Sequence, residues 1–168
     1  MSSNIKHMMP DSKLILRDFR PGDEAAFRSL NEAWITRFFK LEASDLAVFD
    51  DPQSYLIDKG GRLFFAELDG EAVGCCGLLP MRPTEYEVVK MAVSDRAQGR
   101  GIGRRLLQHT IDQGFAMGAT RLYLESNTAL GPALHLYEAL GFQHLPPERI
   151  TPSPYARANV FMELLRPA

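Results

Sequence analysis

Apolar positions along the chain change their spacing several times, and each change predicts an element. Lys13 to Phe19 alternates imperfectly about Leu14, Ile15 and Leu16, which predicts a first strand. Arg20-Pro21-Gly22-Asp23-Glu24 breaks it and puts two carboxylates where a helix begins. Ala26, Phe27, Leu30, Ala33 and Trp34 then recur at three- and four-residue spacings, one apolar helical face. The helical region is expected to hold two helices and to end at Asp51-Pro52. Arg62–Leu68 and Ala72–Leu79 are apolar runs joined by Asp69-Gly70, a strong hairpin signal, and Glu85–Val93 is a third strand. These three are expected to be antiparallel.

Beyond Val93 the period lengthens. Ile102, Leu106, Leu107, Ile111 and Phe115 mark the buried side of a helix that Gly118 stops. Arg121–Glu125 reads as a short strand, and Pro132 suits the first turn of a helix carrying Ala133, Leu136, Tyr137 and Leu140. Gly141 caps that helix and Phe142 opens a strand. Leu145–Pro154 holds four prolines and is expected to be irregular, and Asn159–Leu165 is the last strand. Strands followed by strand–helix–strand–helix–strand predict a mixed α/β or α+β sheet. No repeat or linker interrupts it, so residues 13–168 are expected to form one domain after a flexible terminus of residues 1–12.

Composition narrows the classes. The 168 residues are 45% hydrophobic and 24% charged, as in globular proteins, and a net charge of −2 gives no basic surface for nucleic acid. No apolar run approaches the roughly 18 residues that span a bilayer, and Met1–Pro10 lacks the apolar core of a signal peptide. A cytoplasmic location is expected. Cys75 and Cys76 are neighbours in a strand, so they face opposite sides and read as reduced small hydrophobes. The four histidines show no metal-ligand spacing, and no metal is expected.

The most informative segment is Gln98-Gly99-Arg100-Gly101-Ile102-Gly103-Arg104-Arg105, between a strand and a helix. Glycines allow positive φ and close approach of a ligand, and the first helical turn aims unpaired N–H groups at an anion. The arginines add positive charge, so a phosphate or pyrophosphate is the natural ligand. A P-loop would need Lys-Ser or Lys-Thr after Gly103, where Arg104-Arg105 stand. A dinucleotide loop would need G-x-G-x-x-G after the first strand, and here the spacing is G-x-G-x-G after about the fourth. A glycine turn with no ligand is the plainer alternative.

These residues resemble the GNAT superfamily of N-acetyltransferases. Gln98, Gly101 and Gly103 meet its Q/R-x-x-G-x-G/A signature. Lys90-Met91-Ala92-Val93 is similar to its fourth strand, Leu124-Glu125-Ser126-Asn127 to its next strand, and Leu136-Tyr137 with Gly141-Phe142 to its LY-x-x-x-GF segment. The likeness runs from about Leu14 to Leu165 and is strongest from Glu87 to Phe142. It implies a mixed, mostly antiparallel sheet of six to seven strands flanked by about four helices, splayed between strands four and five. It implies acetyl-CoA as donor. Backbone N–H groups of Gln98, Gly99, Arg100, Gly101, Ile102, Gly103 and Arg104 would hold the pyrophosphate, and Met91, Ala92 and Val93 would pair with the pantetheine arm. Asn127 and Ala133 would lie beside it.

Direct attack of an amine on a thioester in a ternary complex calls for a base and a weak acid. The resemblance implies Tyr137 as the acid; periodicity alone would make it a core aromatic. Glu87 is the first choice of base and Glu85 the second, two apart on one strand face, with a solvated carboxylate or an ion pair to Lys90 or Arg82 as the plainer alternative. The resemblance also implies that a backbone N–H within Met91–Val93 polarises the thioester carbonyl, in the manner of an oxyanion hole. The resemblance implies an acceptor side built from the first helical region and the loop before the last strand, here Trp34, Arg37, Phe38, Phe39 and Glu42 and then Arg149, Tyr155, Arg157 and Asn159. Several arginines suggest a small primary amine bearing an anionic group. Acetylation of a protein N-terminus or lysine, and a non-catalytic CoA-binding module, are the alternatives. A homodimer is expected from the resemblance.

Overall fold

The computed structural model describes residues 13–168, so the expected flexible terminus of residues 1–12 lies outside the described residues. Seven strands form one sheet: β1 (Leu14–Asp18), β2 (Arg62–Leu68), β3 (Glu71–Pro80), β4 (Glu85–Val93), β5 (Arg121–Ser126), β6 (Gln143–His144) and β7 (Val160–Leu165). Their spatial order is β1-β2-β3-β4-β5-β7-β6, and every neighbouring pair is antiparallel except β4 with β5. Four α-helices flank the sheet: α1 (Glu24–Phe38), α2 (Ala43–Asp50), α3 (Ile102–Ala116) and α4 (Gly131–Ala139). The mixed, mostly antiparallel architecture is the expected one.

Strand alternation divides the core in two. Phe64, Ala66, Cys76 and Leu78 face Leu106, Leu107, Ile111 and Tyr137 of α3 and α4. Leu63, Phe65 and Cys75 face Phe27, Ile35 and Phe49 of α1 and α2. Cys75 and Cys76 therefore sit in different cores, both fully buried and free. Burial pushes both thiols up, Cys76 to about 12, so neither is a thiolate nucleophile at neutral pH.

The hairpin turn is of the expected kind. Asp69 and Gly70 have φ of 53° and 82°, the two positive values of a type I′ turn, and Leu68 stands opposite Glu71. One boundary differs from expectation. Asp51-Pro52 does not end the helical region, because a single helical turn, Gln53–Ile57, follows with Pro52 at its start. Proline has no N–H to lose there, and its fixed φ suits a first turn.

Two irregularities in β4 make room for a site. Cys75 pairs with Ala92 but Gly77 with Val89, so two steps of β3 oppose three of β4. The extra residue is a bulge at Lys90, whose φ is 54°. The bulge reverses the alternation: Val88 faces α3, while Met91 and Val93 return to that side and Ala92 faces α1. Second, β4 and β5 pair only from Glu85 to Glu87, opposite Arg121 to Tyr123. Beyond that point the strands part, which leaves the β4 edge from Val88 to Val93 without a strand beside it.

Candidate active site

The gap between β4 and β5 opens into a cleft of about 140 Å³, lined by Glu87, Lys90 and Met91 of β4, Glu125 of β5, Asn127, Ala133 and Tyr137 at and around α4, and Trp34, Tyr155 and Arg157. Nine residues expected from the sequence thus meet in one place: Glu87, Met91, Asn127, Ala133, Tyr137, Trp34, Phe39, Tyr155 and Arg157.

Glu87 and Glu125 face the cleft from the two parting strands. Burial first, and then the Glu125 carboxylate, raise Glu87 to about 7, against the downward pull of Lys90. Glu125 is held from two sides. The Tyr123 hydroxyl donates to its Oε2 at 2.8 Å and the Ser153 hydroxyl to its Oε1 at 2.5 Å. Glu125 stands within the quoted Leu124–Asn127 motif, but its role there needed the parallel register to become visible. Glu85, the second choice of base, is elsewhere: it accepts a hydrogen bond from Arg121 at 3.1 Å in a neighbouring hollow.

Tyr137 is 9% exposed, with its ring edge against Phe142 at 6.1 Å. Its hydroxyl bonds to no described residue. Burial, and secondarily Cys76, raise the phenol above its ordinary value, so it keeps its proton at neutral pH. The Asn127 amide donates to the Arg157 carbonyl at 2.6 Å, and its Oδ1 accepts the Ala129 N–H at 2.7 Å. It ties the start of α4 to the loop before β7 rather than pointing freely into the gap.

The glycine-rich loop abuts the cleft. Gly99 and Gly101 have φ of 80° and 74°, and a Cβ at either would meet no atom within 4 Å. Their glycines serve the backbone and leave an open face. A Cβ at Gly103 would come 3.7 Å from Met91 and 3.6 Å from Val93, so the first turn of α3 leans on the unpaired edge of β4. Arg100, Arg104 and Arg105 make no ion pair with any described residue. Gln98 instead donates to the Val93 carbonyl at 3.3 Å, and Ile102 is buried in the core. An unpaired strand edge leading to a glycine-lined, arginine-flanked helix N-terminus fits an extended ligand with a pyrophosphate at one end.

The side of the cleft expected to take the acceptor is more closed than the sequence suggests. Asp45, fully buried, accepts Arg157 at 2.8 and 2.6 Å, Lys90 at 2.6 Å and the Glu42 N–H at 2.9 Å. Burial pushes its carboxyl up, but the hydrogen bonds of Arg157, Lys90 and Glu42 outweigh that and hold it at about 2. Glu42 also accepts the Ala156 N–H at 3.2 Å and Arg157 at 3.4 Å. Lys90 donates to the Tyr155 hydroxyl at 3.0 Å. The loop before β7 is thereby pinned to α2 and to the β4 bulge, while Arg157 stacks 4.7 Å from the Tyr155 ring. Arg37 is spent on Asp95 outside the cleft, and Phe38 is 47% exposed and does not line it. Arg149 pairs with Glu163, and Asn159 braces the Thr128 turn. Trp34 does line the cleft, with its indole N–H bonded to no described residue.

Among the described residues no cluster of His, Cys, Asp and Glu could hold a metal ion, and no helix is long and apolar enough to cross a membrane. Residues 24–142 match the family described as Acetyltransferase (GNAT) family. The N-alpha-acetyltransferase RimI of Mycobacterium tuberculosis is 38% identical over 126 residues, 70% of this chain and 77% of that protein. Three other relatives, among them N-acetyltransferase 8B of Rattus norvegicus at 30% identity, are matched over 52–53% of their length, so the chain spans about half of those proteins. Among solved structures, a GNAT-family acetyltransferase of Staphylococcus aureus Mu50 aligns with a TM-score of 0.82 at 16% identity, covering 90% of this chain and 98% of that one. The Salmonella typhimurium protein yncA, solved with its cofactor acetyl-CoA, aligns at 0.69 and 21% identity, covering 91% and 94%. By sequence and by fold, the chain belongs to the GNAT family of acetyltransferases.

Proposed function

We propose that this protein moves an acetyl group from acetyl-CoA to the primary amine of a compact molecule. One observation carries the reading: a carboxyl near pKa 7 and a buried neutral phenol share the cleft where β4 and β5 part. Acetyl-CoA supplies the activated acetyl group. The unpaired β4 edge, Asn127 and Ala133 flank its pantetheine arm, and the Gln98–Arg104 loop takes the pyrophosphate. Glu87, paired with Glu125, removes a proton from the incoming ammonium. The nitrogen lone pair attacks the carbonyl carbon, and the C–S bond breaks. Tyr137 gives its proton to the departing sulfur and regains one as the nitrogen sheds its second proton, leaving a neutral amide and the free thiol. A main-chain N–H of the bulged strand is the donor for the carbonyl oxygen.

The pinned loop favours a compact acceptor. Arg157 and Tyr155, both lining the cleft, bridge from α2 to the bulge and narrow the space beside Glu87. The negative pair Glu87 and Glu125 suits a cationic amine. A second reading, acetylation of a protein N-terminus, draws support from the RimI relative. The test is release of free thiol from acetyl-CoA with small amines, peptide N-termini and polycations offered side by side. Turnover with small amines supports the first reading, and turnover with peptides alone replaces it by the second. A cytoplasmic site of action and a homodimer belong to the same proposal, checked by fractionation and light scattering.

A further inference from the structure

A second hollow, of about 260 Å³, lies beside the cleft and is lined by Arg82, Glu85, Arg121, Tyr123, Arg149 and Thr151, with Met81 at its rim. The two are consecutive stations on one sheet face. Glu85 lines the hollow and Glu87 the cleft, two residues apart on β4; Tyr123 lines the hollow and Glu125 the cleft, two apart on β5. Their separation along the strand is on the order of 7 Å. Tyr123 joins them, since its hydroxyl bonds Glu125.

The hollow carries a surplus of fixed guanidinium groups. Arg121 and Arg149 share the single carboxylate of Glu163, at 2.7 Å for the first and at 2.6 and 2.8 Å for the second. The two arginines hold Glu163 at about 2, with Arg149 the larger influence. Arg121 reaches Glu85 with another nitrogen. Three arginines line the hollow against the one lining carboxylate, Glu85, with Glu163 and Glu148 acting on Arg149 from beside it, and the Arg82 side chain pairs with no described residue. Each guanidinium offers five N–H donors, so Arg121 and Arg149 keep several unspent while their orientation is already set. Such forks match a carboxylate or a phosphate.

Resting on the acetyl-transfer reading above, we infer that the hollow is the acceptor's anion subsite. The amine lies at Glu87 and Glu125, and a carboxylate or phosphate about 7 Å away sits among Arg82, Arg121 and Arg149. The sequence suggested arginines for this task. Arg37 lies outside the cleft on Asp95 and both faces of the Arg157 fork are taken by Asp45 and Glu42, so of the arginines expected from the sequence Arg149 is retained and Arg82 and Arg121 are added.

The experiment uses matched amines with saturating acetyl-CoA: 4-aminobutyrate against 4-aminobutanamide, and 2-aminoethyl phosphate against ethanolamine. The wild type is expected to favour the anionic member of at least one pair by about tenfold or more in kcat/KM, chiefly through KM. The pair that shows the preference tells carboxylate from phosphate. In the Arg82→Gln, Arg149→Gln double variant that ratio falls towards one, while stabilisation by acetyl-CoA reports that the fold and donor site persist. A ratio near one in the wild type, or one unchanged in the variant, overturns the subsite, as does turnover confined to peptides. If acetyl-CoA binds and no amine is acetylated, the transfer reading fails separately. The same anionic amines are then titrated against the CoA-bound protein. Binding that the double variant weakens about tenfold retains the subsite, and absent or unaltered binding removes it.

Discussion

Replacing Glu87 by Gln removes the titrating proton acceptor and keeps the shape of the side chain. Glu87 is raised to about 7 by burial and by Glu125. Roughly a tenth of it is ionised at about pH 6 and nine-tenths at about pH 8. In the wild type, kcat/KM therefore rises roughly tenfold between those values and levels above them. The variant loses that inflection, and its plateau falls by a factor on the order of 100, the lower end for a positioned base. Glu125→Gln gives an independent handle. It removes the like charge, so the inflection moves to lower pH. The assay is initial-rate thiol release from about pH 5.5 to 9 with a substrate amine whose own ionisation is corrected for. There is a stability counterpart. A carboxyl whose folded pKa exceeds its unfolded value loses stability as pH rises from about 4.5 through about 7. Above that range Glu87→Gln should melt no lower than the wild type. An unchanged inflection near pH 7 in Glu87→Gln would refute the assignment, whatever the loss of rate.

Asp45→Asn should lower stability by about 3–5 kcal/mol, because buried Lys90 loses its counter-charge and Arg157 keeps only the longer contact to Glu42. Calorimetry should show a fall in Tm of about 10 °C. Because Asp45 is held at about 2 when folded, its contribution is full above about pH 4 and is lost as pH falls towards 2. An acid melting profile identical to that of Asp45→Asn would contradict this. Tyr137→Phe should cut kcat on the order of 100-fold and leave stabilisation by acetyl-CoA unchanged; full activity would remove Tyr137 from proton transfer. Gly101→Ala puts a side chain at φ 74° and a methyl into the open face of the loop. It should cost about 1–2 kcal/mol of stability and weaken acetyl-CoA about tenfold by calorimetric titration, and unchanged affinity would take Gly101 out of the donor site.

Local chemistry made much of this legible in the sequence. Asp69-Gly70 specified its own turn, and the alternating glycines announced a helix N-terminus with an open face, because both signals lie within a few neighbouring residues. The cleft's Glu87 and Tyr137 came from motif position. What stayed hidden depends on partners far along the chain. Lys90 would face α3 in a regular strand; one extra residue turns it towards Asp45, 45 positions away. Glu85 and Glu87 share a strand face, and only the point at which β4 leaves β5 separates the arginine-paired carboxylate from the one in the cleft. Arg37 and Arg157 resemble anion holders until Asp95 and Asp45 are seen against them, 58 and 112 residues distant. Ion-pair partnership is a tertiary property, and composition carries no trace of it.

The central claim is that this GNAT-family chain takes acetyl-CoA into the gap between β4 and β5. Thermal unfolding with and without acetyl-CoA, with ATP and NAD as controls, tests it most directly. Ligand at about 100 times its dissociation constant adds roughly 2.7 kcal/mol, a rise in Tm of about 5–10 °C for a domain of this size. That rise with acetyl-CoA, and none with ATP or NAD, is the expected result. No rise at millimolar acetyl-CoA would contradict the donor site and, with it, the proposed transfer.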